Sequence, residues 1–152
     1  MRLRSLLPTL LLLAGAASVA AATRAPAPAP LAIRVVKSPS CGCCTAWVDY
    51  LKTKGFTVTV EAREEFTALK RANGVTPALE SCHTAFINGY VVEGHVPAEL
   101  IKQLIATKPA GVKGIAVPGM PIGSPGMEQG PPQRYTVYTF DAKGKATVFA
   151  ER

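Results

Sequence analysis

LAIRVVKSPSCGCCTAWVDYLKTKGFTVTVE, residues 31–61, sets the fold class. Leu31, Ile33, Val35 and Val36 make a short buried strand, which Ser38-Pro39-Ser40 breaks. Trp47, Val48 and Leu51 then fall at helical spacing, and Gly55 closes that segment as a C-terminal glycine does. Phe56, Val58 and Val60 alternate with Thr57, Thr59 and Glu61, the pattern of a half-buried strand. A strand, a helix and a second strand joined this way predict a parallel pair with a crossover helix.

Downstream, Phe66 and Leu69 belong to a second helical segment ending at Asn73-Gly74. Thr84–Ile87 and Tyr90–Glu93 flank Asn88-Gly89, a strong hairpin signal. Pro97 opens a helix with Leu100, Ile101, Leu104 and Ile105 on one face. The order β-α-β-α-β-β-α, over residues 31 to about 108, is thioredoxin-like, with helices flanking the sheet. Thr76-Pro77 stands before the third strand, where such a fold places a cis-proline. Pro109 to Pro132 reads as a Gly- and Pro-rich loop, and Arg134 to Arg152 as a terminal β-hairpin.

The chain has 152 residues, 48% hydrophobic and 18% charged, a globular composition that excludes a wholly disordered chain. Residues 1–22 have the layout of a cleaved signal peptide: Arg2 and Arg4, an apolar run from Leu6 to Val19, then small residues. That run is shorter than the ~20 residues of a membrane-spanning helix, so no stable membrane anchor is expected after cleavage. Cleavage after Ala20, Ala21 or Ala22 would leave a periplasmic or secreted protein. Residues 23–30, TRAPAPAP, form an extended Ala/Pro-rich tether. Residues 31–152 form the single folded domain.

The whole chain carries 17 basic and 10 acidic side chains, a formal charge of +7. The basic residues are scattered, without the blocks that mark interaction tails. With export, this argues against nucleic acid as a partner.

The chemistry gathers in SPSCGCCTAW, residues 38–47, where Cys41, Cys43 and Cys44 sit at a helix N-terminus. Unpaired N–H groups and the helix dipole favour thiolate there. Cys82, in ESCHTAF, precedes the third strand and returns to the same end of the sheet. Three readings are open. Two structural disulfides fit the spacing poorly, because most pairings need strained local geometry. A thiol-disulfide oxidoreductase would use the Cys41/Cys44 couple, with Cys43 as a competing thiol. A soft-metal site suits the third thiol, since thiolates select Cu(I), zinc or iron–sulfur clusters and can bridge several Cu(I) ions.

His83, His95, Met120 and Met127 are secondary candidates for metal ligation. His83 follows Cys82 directly, so within a strand the two would face opposite ways. His95 stands at a helix start. Met120 and Met127 share one Gly-Pro loop with little else to bury. Glu80, Glu93 and Glu128 lack the pairing that acid–base catalysis needs, and Trp47 reads as core.

SPSCGCCTAWVDYL, VTPALESCHTAFINGYVVEGHVPAELI and KGIAVPGMPIGSPGME together resemble the CopG-like family of exported copper-resistance, metal-binding proteins. The likeness runs through nearly all of residues 33–151. It implies a thioredoxin-like fold, a role in copper tolerance and a copper site held by Cys41, Cys43, Cys44 and Cys82. The clustered soft thiolates themselves lead us to expect Cu(I), bridged as a polynuclear cluster, and exchange with a copper-delivery or redox partner protein.

Overall fold

The computed structural model describes residues 31–152. The expected signal peptide and tether lie outside the described residues. Seven strands and three helices follow in the order β1 (Leu31–Lys37), α1 (Gly42–Thr53), β2 (Phe56–Ala62), α2 (Thr67–Ala72), β3 (His83–Ile87), β4 (Tyr90–Glu93), α3 (Ala98–Thr107), β5 (Gly114–Ala116), β6 (Thr136–Phe140) and β7 (Ala146–Glu151). A 3₁₀ turn at Pro77–Leu79 lies between α2 and β3.

The strands form one sheet in the order β2-β1-β3-β4-β5-β6-β7. β1 and β2 are parallel, and β3 runs antiparallel to both β1 and β4. These four strands, with α1, α2 and α3, have the expected thioredoxin-like α/β arrangement. Asn88 and Gly89 both take positive φ at the β3–β4 turn, as a two-residue hairpin with matching twist requires.

Each face of the sheet has its own core. Trp47, Val48 and Leu51 of α1, with Leu100, Ile101 and Leu104 of α3, bury against Ile33, Val35, Ala85, Ile87 and Val92. On the other face Val75 and Leu79 pack with Val91, Ala116 and Phe140. Gly55, at φ +87°, ends α1 as the sequence predicts.

One feature departs from expectation. The Pro109–Pro132 segment is not wholly loop: Gly114–Ala116 forms β5, parallel to β4 and antiparallel to β6. The terminal hairpin therefore continues the main sheet instead of standing beside it. Three residues are too few for a periodic signal, which is why β5 escapes sequence reading. Among the described residues there is no cis peptide bond, so Thr76-Pro77 is trans.

Gly114 marks where β5 is tight. A Cβ there would lie 2.5 Å from both Phe140 Cζ and the Val91 carbonyl oxygen. Gly114→Ala should destabilise the chain by about 1–3 kcal/mol through overpacking, measured as a lower denaturant midpoint. An unchanged midpoint would show that Phe140 yields freely.

Candidate metal centre

The end of the sheet where β1 finishes and β3 begins carries the chemistry. Cys41 is the N-cap of α1, and its sulfur accepts a hydrogen bond from the Cys44 N–H at 3.3 Å. Cys43 and Cys44 lie in the first helical turn. Cys41 and Cys44 form a disulfide with Cα atoms 5.4 Å apart, leaving Cys43 and Cys82 free. The CxxC spacing thus closes as a disulfide, and the third thiol stays out of it. Cys43 Sγ lies 3.5 Å from Cys41 Sγ and 3.9 Å from Cys82 Sγ. All four cysteine sulfurs fall within 4.8 Å of one another.

Cys82 also belongs to a second group, with His83 and His95. Its sulfur is 3.0 Å from His95 Nε2 and 3.3 Å from His83 Nδ1. Strand alternation led us to expect Cys82 and His83 on opposite sides. Cys82 instead sits in a bend one residue before β3, where alternation does not operate.

The histidines are poised as neutral ligands. His95 Nδ1 lies 2.8 Å from the Pro125 carbonyl oxygen. A carbonyl only accepts, so Nδ1 carries the proton and Nε2 presents its lone pair toward Cys82. A backbone carbonyl that fixes the tautomer is a recurrent support for metal-ligating histidines. Burial pushes the His95 pKa down, against the opposing effect of the Pro125 carbonyl. His83 is fully buried between the rings of Trp47 and His95, with centroids 4.3 and 5.0 Å away. Burial, and then His95, hold its pKa well below the ordinary value. Its Nε2 is buried without a hydrogen-bond partner. Burial, with Cys43 beside it, pushes the Cys82 thiol up to about 12.

The Gly-Pro loop closes over this group. Gly126 is buried at φ +84°, and a Cβ there would come within 2.8 Å of the Trp47 nitrogen and 2.9 Å of the Cys43 oxygen. Only glycine allows so close an approach, and it brings the Pro125 carbonyl to His95. Met127 is half-buried next in the chain, and Met120 is exposed. A hollow of about 480 Å³ is lined by Thr76, Leu79, Pro118, Pro121, Tyr135 and Tyr138 among others and contains none of the thiols.

Sequence reading missed Lys70, Glu93 and the Pro125 carbonyl. Lys70 and Glu93 form a buried ion pair at 2.5 Å behind Cys82. The one available signal was Glu93 closing the otherwise apolar β4, which is too common to decide anything, and Lys70, beside Arg71 inside α2, gave none.

An α/β protein with a thioredoxin-like sheet and a thiol cluster continuous with two neutral imidazoles is built for soft-metal or thiol chemistry. Residues 79–127 match the family described as "Protein of unknown function, DUF411". Two solved structures, copper resistance protein copG in Form 1 and Form 2, are similar to the chain, each at 45% identity with a TM-score of 0.76. Each match covers 81% of this chain and 98% of the other. No curated protein matches. The chain belongs to the CopG family of copper resistance proteins.

In the metal-free chain, His83 should make stability depend on pH. The folded pKa lies below the unfolded value of 6.5. As pH falls through 6.5 the unfolded chain takes up a proton that the native state refuses, and stability drops until the folded pKa is reached. His83→Phe, which keeps an aromatic ring on Trp47, should flatten that slope by up to about 1.4 kcal/mol per pH unit. Equal slopes for both chains from roughly pH 6.5 down to 5 would contradict the assignment.

Proposed function

We propose that this protein is an exported copper-resistance protein that holds Cu(I) through Cys41, Cys43, Cys44 and Cys82 and exchanges copper or electrons with a partner. The observation that carries this reading is Cys82, whose sulfur belongs to both donor groups. On one side stand sulfur donors, which prefer soft Cu(I). On the other stand imidazoles, which serve Cu(I) and Cu(II) alike. The family's link to copper resistance supplies the choice of metal.

The disulfide makes loading depend on reduction. Cys41 and Cys44 become ligands only after a partner dithiol passes two electrons and two protons to their disulfide and is itself oxidised to a disulfide. The reduced chain then offers four thiols, and thiolate sulfur can bridge metal ions. More than one Cu(I) per chain follows from that crowding. His83 and His95 are the secondary ligands, with Met120 and Met127 as further donors from the covering loop.

Exchange, as opposed to storage, is supported by exposure on one side. Gly42, between Cys41 and Cys43, is exposed, and a Cβ there would meet nothing within 4 Å. A partner can approach the sulfurs from that side. A second reading, a thiol-disulfide oxidoreductase using Cys41 and Cys44, is favoured by the disulfide at the N-cap of α1.

Anaerobic titration of the reduced chain with Cu(I) separates the two. The copper reading expects more than one copper per chain and weaker binding in Cys41→Ser, Cys43→Ser, Cys44→Ser and Cys82→Ser. It expects His95→Ala to alter transfer to a chelator more than affinity. Saturation at one copper or fewer, with zinc held equally well, rejects the cluster. Full copper binding by Cys43→Ser, with disulfide reductase activity lost in Cys41→Ser and Cys44→Ser, establishes the oxidoreductase.

Export has its own measurement. Mass analysis of the protein recovered from cells should find a chain beginning at Ala21, Ala22 or Thr23. A full-length chain retained in the membrane fraction would exclude export with cleavage.

A further inference from the structure

Cys82 lies one residue before β3 and His95 two residues after β4, yet one buried ion pair touches both supporting segments. Glu93 ends β4, two residues before His95, and is fully buried. Its Oε1 accepts from Lys70 Nζ at 2.5 Å and from the Ser81 N–H at 2.8 Å, and its Oε2 from the Thr84 hydroxyl at 2.6 Å. Lys70, from α2 and also buried, donates in addition to the Ser81 carbonyl at 3.1 Å and to Thr84 Oγ1 at 3.0 Å. The pair therefore grips both backbone groups of Ser81, the residue directly before Cys82.

Other bonds reach this segment, from the Gly119 N–H to the Glu80 carbonyl at 2.8 Å, from the Ser81 hydroxyl to the Gly119 carbonyl at 2.5 Å and from Arg71 to the Glu80 carboxylate at 2.8 Å, but the ion pair takes both backbone groups of Ser81. Glu80, Ser81 and Cys82 are all partly exposed and lie between the 3₁₀ turn and β3. Packing cannot define a short polar bend of this kind, whereas directional hydrogen bonds to buried charges can. A buried ion pair is a poor source of stability, because desolvation of both ions cancels most of their attraction, and apolar replacement of both partners is often neutral. What the pair supplies is a definite position.

We propose that Lys70 and Glu93 are positioning residues that set Cys82 against His95 and Cys43. The proposal rests on the reading that Cys82 is a working sulfur. It makes no use of the metal's identity, so its test is run on the metal-free chain and fails separately from the copper assignment.

The experiment compares alkylation of the two free thiols by iodoacetamide, resolved by peptide mass. Cys43 is held by α1, with its sulfur 3.9 Å from Cys82, and serves as the reference thiol in the same chain. Lys70→Met/Glu93→Leu removes both charges together and leaves the Ser81 N–H and carbonyl without their partners, with only the hydroxyl bond to Gly119 remaining. It should raise the Cys82 rate relative to Cys43 by about tenfold or more, the scale of one lost charge-assisted hydrogen bond. Lys70→Gln/Glu93→Gln retains a donor and an acceptor and should stay within about threefold of the parent. A Cys82 to Cys43 ratio unchanged by the apolar pair overturns the proposal, as does an equal rise in both double variants. Hydrogen exchange on the parent chain tests the same point without substitution. The Ser81 amide should be protected well beyond its neighbour Cys82, and exchange at the same rate would also overturn it.

Discussion

Trp47 is the pin on which the site depends. It is fully buried, its indole N–H donates to the Val96 carbonyl at 3.0 Å, and its ring lies against His83. Its backbone also forms the floor on which Gly126 rests. One side chain thereby fixes the first turn of α1 relative to the end of β3, the chain leaving β4 and the covering loop. Aromatic truncations in cores cost ~3–5 kcal/mol, but the consequence here is also positional. Cys43 and Cys44 precede Trp47 by one helical turn, so the distance between the α1 thiols and Cys82 follows from where Trp47 docks.

That docking produces a continuous row of donors of graded character. The disulfide leads to Cys43, Cys43 to Cys82, and Cys82 to two imidazoles held neutral by burial. The gradient runs from soft sulfur at the exposed helix terminus to nitrogen in the core. Burial makes the Cys82 thiol hard to ionise without a compensating positive charge. A cation bound at the thiols provides that charge, so metal binding and thiol ionisation favour each other.

Much of this was legible in the sequence, and for physical reasons. The paired runs around residues 31–61 have the two periodicities that separate strand from helix, and Asn88-Gly89 is one of the few dipeptides that turn so tightly with both φ positive. The four cysteines stood out because three thiols at one helix start have no ordinary structural use. The contact between Cys82 and His83 was not legible, because alternation holds only inside a strand and Cys82 lies just outside. β5 was too short to show a period. The tautomer of His95 depends on a carbonyl 30 residues away, and backbone groups leave no trace in residue identity. Gly126 was visible as a glycine among many, and only the approach of α1 shows why no side chain fits there.

The covering loop reconciles two demands that oppose each other at such a site. Thiols left open to solvent outside the cytoplasm oxidise readily, whereas thiols fully sealed cannot reach a partner. The loop covers the inner part of the row, where Pro125 holds His95 and Gly126 lies on α1. The outer part, at Cys41, Gly42 and Cys43, stays accessible, and the disulfide joins this edge, at Cys41, to the buried Cys44. Cys82 keeps its free thiol behind Cys43, beside the imidazoles. A free thiol at that place leaves the inner donor group intact while the disulfide closes the outer one.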